Sequence, residues 1–317
     1  MDRPDISVVI PTYNRKEYLR QAIASCFDGN DGLDIEVIVV DDGSSDGTRD
    51  YLNSLDDPRV RPFLQEHQGG QVARNRGLIE ARGEFVKFLD DDDWLPEGGL
   101  ATEAALLRES EADLCYGAIH FVDEDGNFVE SSSQEASKDL VADLLDGTVT
   151  THPPSKFTYR RNLAANHRWQ LDLPVRQDLD FVLSVAVEEP THASTDTLVG
   201  YMRWHDGARV SDSGAENTDT VRLHIRLLLR AVQRLHEKNK LTPKRKRAAA
   251  TGLWRWAHML AAHDWQAFED VYRKIESLVP GCLPERPSVL LWGLDQLFGP
   301  YGTERVLLPL RSLVDTT

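Results

Sequence analysis

The sequence predicts an α/β domain, with a mostly parallel sheet flanked by helices, followed by a C-terminal region built only of helices. Over residues 6–89, short β-branched runs alternate with helix-period segments, which is typical of parallel strands joined by crossover helices. From Thr218 onward, glycine and proline become rare inside long segments and apolar residues recur at helical spacing. The 317 residues are enough for one large domain or two ordinary ones.

The N-terminal elements follow in order along the chain. Apolar residues at three-and-four spacing in the first helix predict one face packed on the sheet, and Asn14 with Glu17 suggests a capping box at its start. A hairpin is predicted through Asp123 to Asn127. The alternation fades between Ser131 and Pro154, so we expect that stretch to shape a site rather than a core. The other predicted elements are strands at Ile6 to Ile10, Ile35 to Val40, Phe85 to Leu89 and Leu114 to Ala118, and helices at Lys16 to Phe27 and Gly47 to Leu55.

The C-terminal region is expected to contain several amphipathic helices. The first carries an apolar stripe from Val221 to Leu235. Thr242 and Pro243 are typical of an N-cap and a first helical turn. An antiparallel helix pair is predicted to follow, with one helix at Ala248 to Ala262 and the other at Trp265 to Val279. The pair turns at His263 and Asp264 and ends at Pro280 and Gly281.

Composition excludes several classes of protein. No apolar run approaches the roughly 20 residues that a bilayer crossing needs, and the N-terminus lacks the basic and apolar segments of a secretory signal. Cys26, Cys115 and Cys282 are too few and too far apart for a disulfide framework or a thiolate metal cluster. A formal net charge of −16 argues against broad nucleic-acid binding. We therefore expect a cytoplasmic protein without a nucleic-acid partner.

Charge is divided unevenly along the chain. Residues 218–317 carry 16 basic and 10 acidic residues, which leaves 20 basic and 42 acidic residues in 1–217. Six basic residues precede Trp254 and Trp256, and this pattern suits a peripheral contact with an anionic membrane surface. The alternative is a solvated helix start with both Trp side chains in the core. The six residues are Lys238, Lys240, Lys244, Arg245, Lys246 and Arg247.

Two acidic clusters directly follow predicted strands. Asp41 and Asp42 come after the strand that ends at Val40, and Asp90 to Asp93 come after the strand that ends at Leu89. Ligands of open parallel sheets bind outside the carboxyl ends of the strands, so the two clusters can converge on one ligand. Neighbouring carboxylates repel one another, and Mg²⁺ or Mn²⁺ would relieve that repulsion. The pattern predicts a metal-bound diphosphate, with a solvated acidic turn as the alternative.

Four segments occur in a recognisable order: Ser7 to Arg15 (SVVIPTYNR), Val39 to Thr48 (VVDDGSSDGT), Ala73 to Gly77 (ARNRG) and Gly83 to Trp94 (GEFVKFLDDDDW). Together they resemble family 2 glycosyltransferases of the GT-A fold over roughly residues 5–212, although no single segment is specific by itself. The resemblance implies a GT-A domain at residues 1–215, with a nucleotide-binding half at about 1–115 and an acceptor half at about 116–215. The helical region would then span 216–317.

The resemblance also implies roles for individual residues. Pro11, Tyr13 and Asp42 would line a nucleoside pocket, in which Asp42 accepts a hydrogen bond from a base N–H. Independently, Tyr13 offers a ring face on which a base can stack, with ordinary packing as the alternative. The remaining implied contacts are Arg74, Asn75 and Asp91 on the nucleotide, and the DxD pair Asp90 and Asp92 on the metal, Mn²⁺ or Mg²⁺.

A further acidic segment, Arg176 to Phe181 (RQDLDF), precedes an apolar helical run. The resemblance implies that Asp178 is the catalytic base, since one carboxylate beside the acceptor hydroxyl can take its proton during attack. Family members often carry Glu-Asp here, so Gln177 is a departure that removes the neighbouring acid rather than the base. The alternative for Asp178 is an N-cap on the following helix, and for Asp180 that alternative is favoured.

The segment Tyr201 to His205 (YMRWH) resembles a late family motif in which a His near an Arg reaches the diphosphate or the metal. His205 is therefore a candidate metal ligand. Arg203 and Gln177 are candidate phosphate or acceptor contacts. Four further residues are expected to border the acceptor side, namely His152, Lys156, Arg160 and Arg161.

The activity implied by the resemblance is a metal-dependent, inverting transfer of a sugar from a nucleotide-diphosphate donor to a hydroxyl of a glycan or lipid-linked glycan. UDP is the first choice of donor nucleotide, with GDP and dTDP next. One alternative is a sugar-1-phosphate nucleotidyltransferase, although Pro11 to Arg15 lacks the glycines of that class's phosphate loop. A nucleotide- or glycan-binding homologue without turnover is a second alternative, and glycoside hydrolysis is a distant third.

Overall fold

The computed structural model describes residues 3–132, 137–204, 218–282 and 289–314. The chain divides into two compact units, one formed by 1–138 and 151–208 and the other by 139–150 and 209–317. The second unit therefore takes up a short segment, 139–150, from the middle of the first. The sequence pattern did not predict that residues 139–150 belong to the helical unit.

The first unit is organised around one mixed sheet. Its order among the described residues is β3-β2-β1-β4-β7-β5-β6, and β8 pairs with β5. β1, β2, β3 and β4 are mutually parallel, while β7 runs antiparallel to both β4 and β5. The strands are β1 Ile6–Thr12, β2 Ile35–Asp41, β3 Val60–Leu64, β4 Phe85–Phe88, β5 Leu114–Val122, β6 Phe128–Ser132, β7 Phe157–Arg160 and β8 His192–Arg203.

The predicted strand positions are confirmed at both acidic clusters. β1 and β2 are buried along their whole length, as expected for central parallel strands covered on both faces. Thr12 pairs with Asp41, and Val9 pairs with Phe88 on the other side of β1. The carboxyl ends of three neighbouring strands therefore lie at one edge of the sheet.

The helices of the first unit cross over between these strands. α3 lies so close to β1 that a Cβ at Gly77 would come within 2.3 Å of Val9 Cγ1, and glycine permits that approach. The same helix carries Arg74 and Asn75 one turn earlier. The helices are α1 Lys16–Ser25, α2 Thr48–Asn53, α3 Gly70–Glu80, α4 Gly99–Glu109, α6 Arg161–Ala164 and α7 Gln177–Ala186.

The regular elements in the described part of the second unit are all helices, as predicted for residues 216–317 but not for 139–150. The apolar stripe of α8 is buried from Val221 to Leu235, and Thr242 caps α9 by accepting a hydrogen bond from the Arg245 N–H at 3.3 Å. Asp264 caps α10 by accepting one from the Ala267 N–H at 3.0 Å. The helices are α5 Leu140–Asp146, α8 Thr218–Glu237, α9 Pro243–Leu260, α10 Trp265–Leu278 and α11 Val289–Val314.

Several local predictions were wrong. Asn14 does not cap α1, because its side chain accepts the Ser45 N–H at 2.7 Å instead. The fading pattern after Ser131 hides α5, whose apolar side chains are buried in the core of the second unit. Arg160 and Arg161 lie beside Glu84 and Gly83, before β4, at the sheet edge away from Asp90.

The two tryptophans of the proposed membrane contact pack against other residues of the helices. Trp254 is buried, and Trp256 stacks on His224 with ring centroids 4.1 Å apart. Arg245 is also buried, and its Nε lies 3.1 Å from both carboxylate oxygens of Asp139. The burial of Trp254 and Arg245 favours the alternative of a helical core for these two residues, and the membrane contact itself stays a prediction. Within the described ranges, no helix combines the length and apolar character that a membrane crossing requires.

Candidate active site

Thr12 links the two acidic clusters. Its carbonyl accepts the Asp42 N–H at 2.9 Å, and its hydroxyl donates to Asp91 Oδ2 at 2.7 Å. Asp42 and Asp91 thus flank the end of β1, following β2 and β4 respectively. The convergence expected from the sequence is present, because the carboxyl ends of parallel strands meet at the same sheet edge.

Asp42 is buried and holds the segment between β3 and α3. Its Oδ1 accepts the Gln65 side-chain amide at 2.7 Å and the Gln68 N–H at 2.9 Å. Its Oδ2 accepts the Gly69 N–H at 2.7 Å and lies 2.9 Å from His67 Nδ1. The carboxylate thus accepts three hydrogen bonds, and the hydrogen bond of the His67 ring goes to the Asp42 carbonyl oxygen, 3.0 Å from Nδ1.

Beside Asp42, an aromatic pair reaches the surface. Tyr13 stacks on His67 with centroids 4.1 Å apart and planes 26° apart. Tyr13 is 43% exposed, so ordinary core packing does not describe it. Pro11, in contrast, is a buried residue of β1 paired with Val40.

Asp90 is joined to α3 through Arg74. The Arg74 Nη2 lies 2.5 Å from Asp90 Oδ1, and the guanidinium lies over the Trp169 ring at 4.8 Å. Trp169 in turn stacks on Phe181 of α7, with centroids 4.5 Å apart. The buried Arg74 Nε has no hydrogen-bond partner among the described residues, so Arg74 retains a donor for an anionic ligand.

Arg15 contacts the other two carboxylates of this cluster. Its Nη1 lies 3.4 Å from Asp91 Oδ1 and forms a closer ion pair with Asp92. Burial raises the pKa of Asp91 to about 7, and the negative charge of Asp92 adds to the rise. Both carboxylates of the DxD pair therefore carry an arginine counter-charge, Arg74 on Asp90 and Arg15 on Asp92.

Asp178 lies in the first turn of α7. The N-cap position belongs to Arg176, which has a left-handed backbone with φ of 61°, so capping explains neither Asp178 nor Asp180. Burial raises the pKa of Asp178 to about 7. Arg74 and Arg176 oppose the rise and Asp90 adds to it. Asp178, Arg74 and Asp90 form one electrostatic cluster that joins α7 to the end of β4.

Three candidate residues have other partners. Asn75 bonds the Trp169 backbone through both amide atoms, at 2.8 and 2.9 Å. Gln177 donates to the Leu173 and Pro174 carbonyls. Arg203 is buried and donates to the Glu124 carbonyl and to Gln21. His205 lies outside the described residues.

The sequence pattern did not identify His67, Gln65 or Arg15 as site residues. Arg15 belongs to the first matched segment and follows β1, which was the available signal. His67 and Gln65 lie in the link between an unpredicted strand, β3, and α3. Because β3 was not predicted, the sequence pattern gave no sign that residues of this link contact Asp42.

Asp90 and Asp92 have the chemistry that Mg²⁺ or Mn²⁺ requires. Within the described ranges, no three His, Cys, Asp or Glu side chains form a ready metal cage. Mg²⁺ is commonly held by one or two carboxylates together with substrate phosphates. Each of these carboxylates already pairs with a cationic side chain, Arg74 on Asp90 and Arg15 on Asp92. The residues present therefore fit a cation that arrives with a diphosphate.

Comparisons with known proteins agree with this architecture. A family model described as glycosyl transferase family 2 matches residues 7–168, about half of the chain. A GalNAc(5)-diNAcBac-PP-undecaprenol beta-1,3-glucosyltransferase from Campylobacter jejuni is 36% identical over 172 residues, which are 52% of this chain and 55% of that protein. The chain spans about half the length of the curated relatives it matches most strongly.

Two solved structures share the fold. S. aureus TarS in complex with UDP-GlcNAc aligns with a TM-score of 0.68 at 20% identity, over 96% of this chain and 90% of that one. A mannosyltransferase from Pyrobaculum calidifontis, in complex with GDP-Man and Mn²⁺, aligns with a TM-score of 0.50 at 17% identity, over 100% and 89% of the two chains. The paired acidic strand ends, the family match and the shared GT-A fold lead to one conclusion: the chain belongs to glycosyl transferase family 2.

Proposed function

We propose that the chain transfers a sugar from a nucleotide-diphosphate donor to a hydroxyl of a glycan, with a divalent cation and inversion at the anomeric carbon. The observation that carries the proposal is the joining of Asp42, Asp91, Asp90 and Asp178 through Thr12 and Arg74 at one edge of the sheet. The base, the diphosphate and the acceptor would be held along this edge.

Asp178 is the proposed general base. Its carboxylate takes the proton of the acceptor hydroxyl while that oxygen attacks the anomeric carbon and the bond to the diphosphate oxygen breaks. A base is most effective when its pKa lies near the working pH, and burial raises the pKa of Asp178 to about 7. A single displacement with one base places the new bond on the opposite face of the sugar.

The leaving diphosphate needs positive charge. Arg74 supplies a buried guanidinium with a spare Nε donor, and Arg15 lies at the end of β1 beside Asp92. Arginine binds diphosphate oxygens through several N–H groups at once. Mn²⁺ or Mg²⁺, held by Asp90 and Asp92, would supply further stabilisation of the leaving group when bound.

The acceptor is proposed to be a glycan, in free or lipid-linked form. The Campylobacter jejuni relative is named for a lipid-linked substrate, a glycan on undecaprenol diphosphate. The two proteins share only about half of their lengths, so the lipid-linked form rests on that name. UDP is the proposed donor nucleotide, because TarS was solved with UDP-GlcNAc, with GDP and dTDP as the other candidates.

Calorimetry with UDP, GDP and dTDP tests the proposal, each with and without Mn²⁺. At least one nucleotide should bind, and bind more tightly with the metal. The enzyme should then slowly hydrolyse the matching sugar nucleotide. Asp92→Asn should lose the gain from Mn²⁺, while Asp125→Asn, an exposed acid in the β5–β6 turn, should keep it. Failure of all three nucleotides to bind in either condition would refute the proposal.

A further inference from the structure

The indole ring of Trp169 lies against the arginine that is proposed to meet the leaving diphosphate. The guanidinium carbon of Arg74 is 4.8 Å from the centroid of that ring, and Trp169 is only 2% exposed. We propose that Trp169 is a positioning residue of the transfer reaction, which holds Arg74 in the orientation that binds the donor diphosphate. The inference rests on the proposed function, from which it takes the role of Arg74.

The Arg74 side chain needs a second restraint besides its ion pair. Its Nη2 pairs with Asp90 at 2.5 Å, while its buried Nε has no hydrogen-bond partner among the described residues. A Cβ at Gly70, one turn earlier in α3, would lie 3.2 Å from Nη1, so glycine leaves room for the guanidinium. A flexible side chain held at one end can still turn about that contact. The face of an aromatic ring limits this turning, because it attracts a cation and matches the flat guanidinium.

Trp169 is itself held from α3, α7 and β4. Asn75, which follows Arg74 in α3, accepts the Trp169 N–H at 2.9 Å and donates to its carbonyl at 2.8 Å. The ring stacks on Phe181 of α7, with planes 8° apart, and meets Phe88 of β4 edge to face at 5.1 Å. Two adjacent residues of α3 therefore contact the same tryptophan, Asn75 through its backbone and Arg74 through its ring.

The contact with Arg74 involves the face of the indole and a charged group. Trp169 Nε1 is buried and makes no hydrogen bond within the described part of the chain, so the ring acts on its neighbours through its apolar surface. Burial acts against the charge of Arg74, and the neighbouring Asp90 and Asp178 more than offset it, so the pKa of Arg74 lies above its ordinary value. The ring thus fixes the direction of a permanent positive charge.

A fixed charge beside the leaving group should distinguish a nucleoside diphosphate from a monophosphate. UDP and UMP share the base, the ribose and one phosphate, so the ratio of their dissociation constants reports on the second phosphate. Arginine binds phosphate oxygens through paired N–H groups, which requires a defined orientation. Loss of that orientation should weaken UDP much more than UMP, whereas a general disturbance of the site would weaken both.

Calorimetry of the full chain with Mn²⁺ measures this ratio, with GDP and GMP as the second pair of nucleotides. Trp169→Leu keeps an apolar side chain in the core but removes the ring. It should weaken the diphosphate by about tenfold, as expected for the loss of a desolvated cation–π contact, and the monophosphate by much less. Trp169→Phe keeps a ring face and should restore most of the lost affinity. Thermal unfolding shows that each variant is folded.

Phe85→Leu is the matched control. Phe85 is buried at the start of β4, at the other end of the strand from Asp90. The guanidinium carbons of Arg108 and Arg160 lie 5.5 and 5.3 Å from its ring centroid, so the change also removes a core ring with cationic partners. The ratio should stay that of the wild type. An equal change of the ratio in Phe85→Leu and Trp169→Leu would overturn the inference, because loss of any core ring would then disturb the site.

Asn75→Ala tests the same inference without removing a core ring. It releases the Trp169 backbone from α3, so the ratio should shift in the same direction as in Trp169→Leu and by a smaller factor. This variant carries the test if Trp169→Leu does not fold. An unchanged ratio in Asn75→Ala would then overturn the positioning role of Trp169.

A double-mutant cycle shows whether Trp169 acts through Arg74. Arg74→Gln should weaken the diphosphate more than Trp169→Leu does, and Trp169→Leu should have no further effect once Arg74 is replaced. Additive losses, or unchanged diphosphate affinity in a folded Trp169→Leu variant, would overturn the inference and leave the proposed function standing. Absence of any nucleoside diphosphate binding by the wild type would instead refute the proposed function.

Discussion

At the scale of single residues, Asp178 and Arg74 show how burial and a neighbouring arginine act in opposite directions on the pKa of the proposed catalytic carboxylate. Asp178 is removed from water in the first turn of α7, and the resulting rise in its pKa is only partly offset by Arg74 and Arg176. Asp90 adds negative charge on the other side of Arg74. Arg74 and Asp90, which contact each other, therefore shift the pKa of the proposed base in opposite directions.

Asp178→Asn should abolish transfer while leaving donor binding intact. The amide cannot take the acceptor proton, so kcat should fall about 10²- to 10⁴-fold, the usual contribution of a general base. Steady-state kinetics and nucleotide calorimetry measure the two effects. Asp180→Asn, the same change two residues later, is the control and should keep most of the activity. A variant at Asp178 with near-normal kcat would remove this residue from the mechanism.

The same substitution should change how stability depends on pH. The folded pKa of Asp178, about 7, is above its ordinary value of 3.8, so the folded state holds the proton more tightly than the unfolded state. The stabilisation is complete below about pH 4 and is lost as the pH rises through 7. Asp178→Asn should therefore raise the Tm relative to wild type by several degrees at pH 8, and by much less at pH 4.5. Scanning calorimetry at both values tests this, and a constant difference would contradict the shift.

At the scale of elements, close helix packing in the second unit depends on one glycine. A Cβ at Gly252 of α9 would lie 1.8 Å from the Leu145 carbonyl oxygen of α5. Backbone occupies this space, so no side-chain rearrangement can relieve the overlap. Arg245 and Asp139 join the same two helices through a buried ion pair. Residues 139–150 are held in the second unit by both features.

Gly252→Ala should destabilise the protein by about 1–3 kcal/mol or more, the usual cost of overpacking. Gly293→Ala is a matched control in α11, where no atom of the described residues lies within 4 Å of the added Cβ. That change should be neutral or stabilise by up to about 1 kcal/mol, because alanine favours helix over glycine. Urea unfolding compares the pair, and equal free energies for both variants would contradict the described contact between α5 and α9.

At the scale of the whole molecule, charge and burial together limit the membrane hypothesis. Arg245 pairs with Asp139, and Lys244 lies 3.7 Å from Asp143. Trp254 and Trp256 pack within the helices. Lys238 and Arg247 are exposed and Lys246 is half-buried, and we propose that a peripheral contact with an anionic bilayer would use these three of the six basic residues.

Liposome flotation tests that contact. Replacement of Lys238, Lys246 and Arg247 by Gln should lower partition to anionic vesicles by tenfold or more, given about 1 kcal/mol for each basic residue near the surface. Arg226, Arg234 and Lys274 are exposed basic residues of other helices, and their replacement by Gln is the control of equal charge. Equal flotation of the two triple variants, or none by the wild type, would eliminate this surface.

Local patterns were sufficient for much of the architecture. The β-branched runs predicted β1, β2 and β4, and the acidic residues that follow β2 and β4 predicted one shared edge. The apolar stripe of α8, the cap at Thr242 and the turn at His263 and Asp264 were also predicted. These features depend on residues within a few positions of one another, so periodicity and capping chemistry are enough to recognise them.

Tertiary structure decided which side chains meet in the site. The pairs that define it join residues far apart in the chain, such as Arg15 with Asp92, Asp42 with His67, and Arg74 with Asp90. The sequence by itself determined the family, the sheet and the acidic edge. Only folding decided that Gln65, Gln68 and Gly69 donate to Asp42 and that Arg74 lies between Asp90 and Asp178. These contacts depend on how distant segments pack and not on any local period.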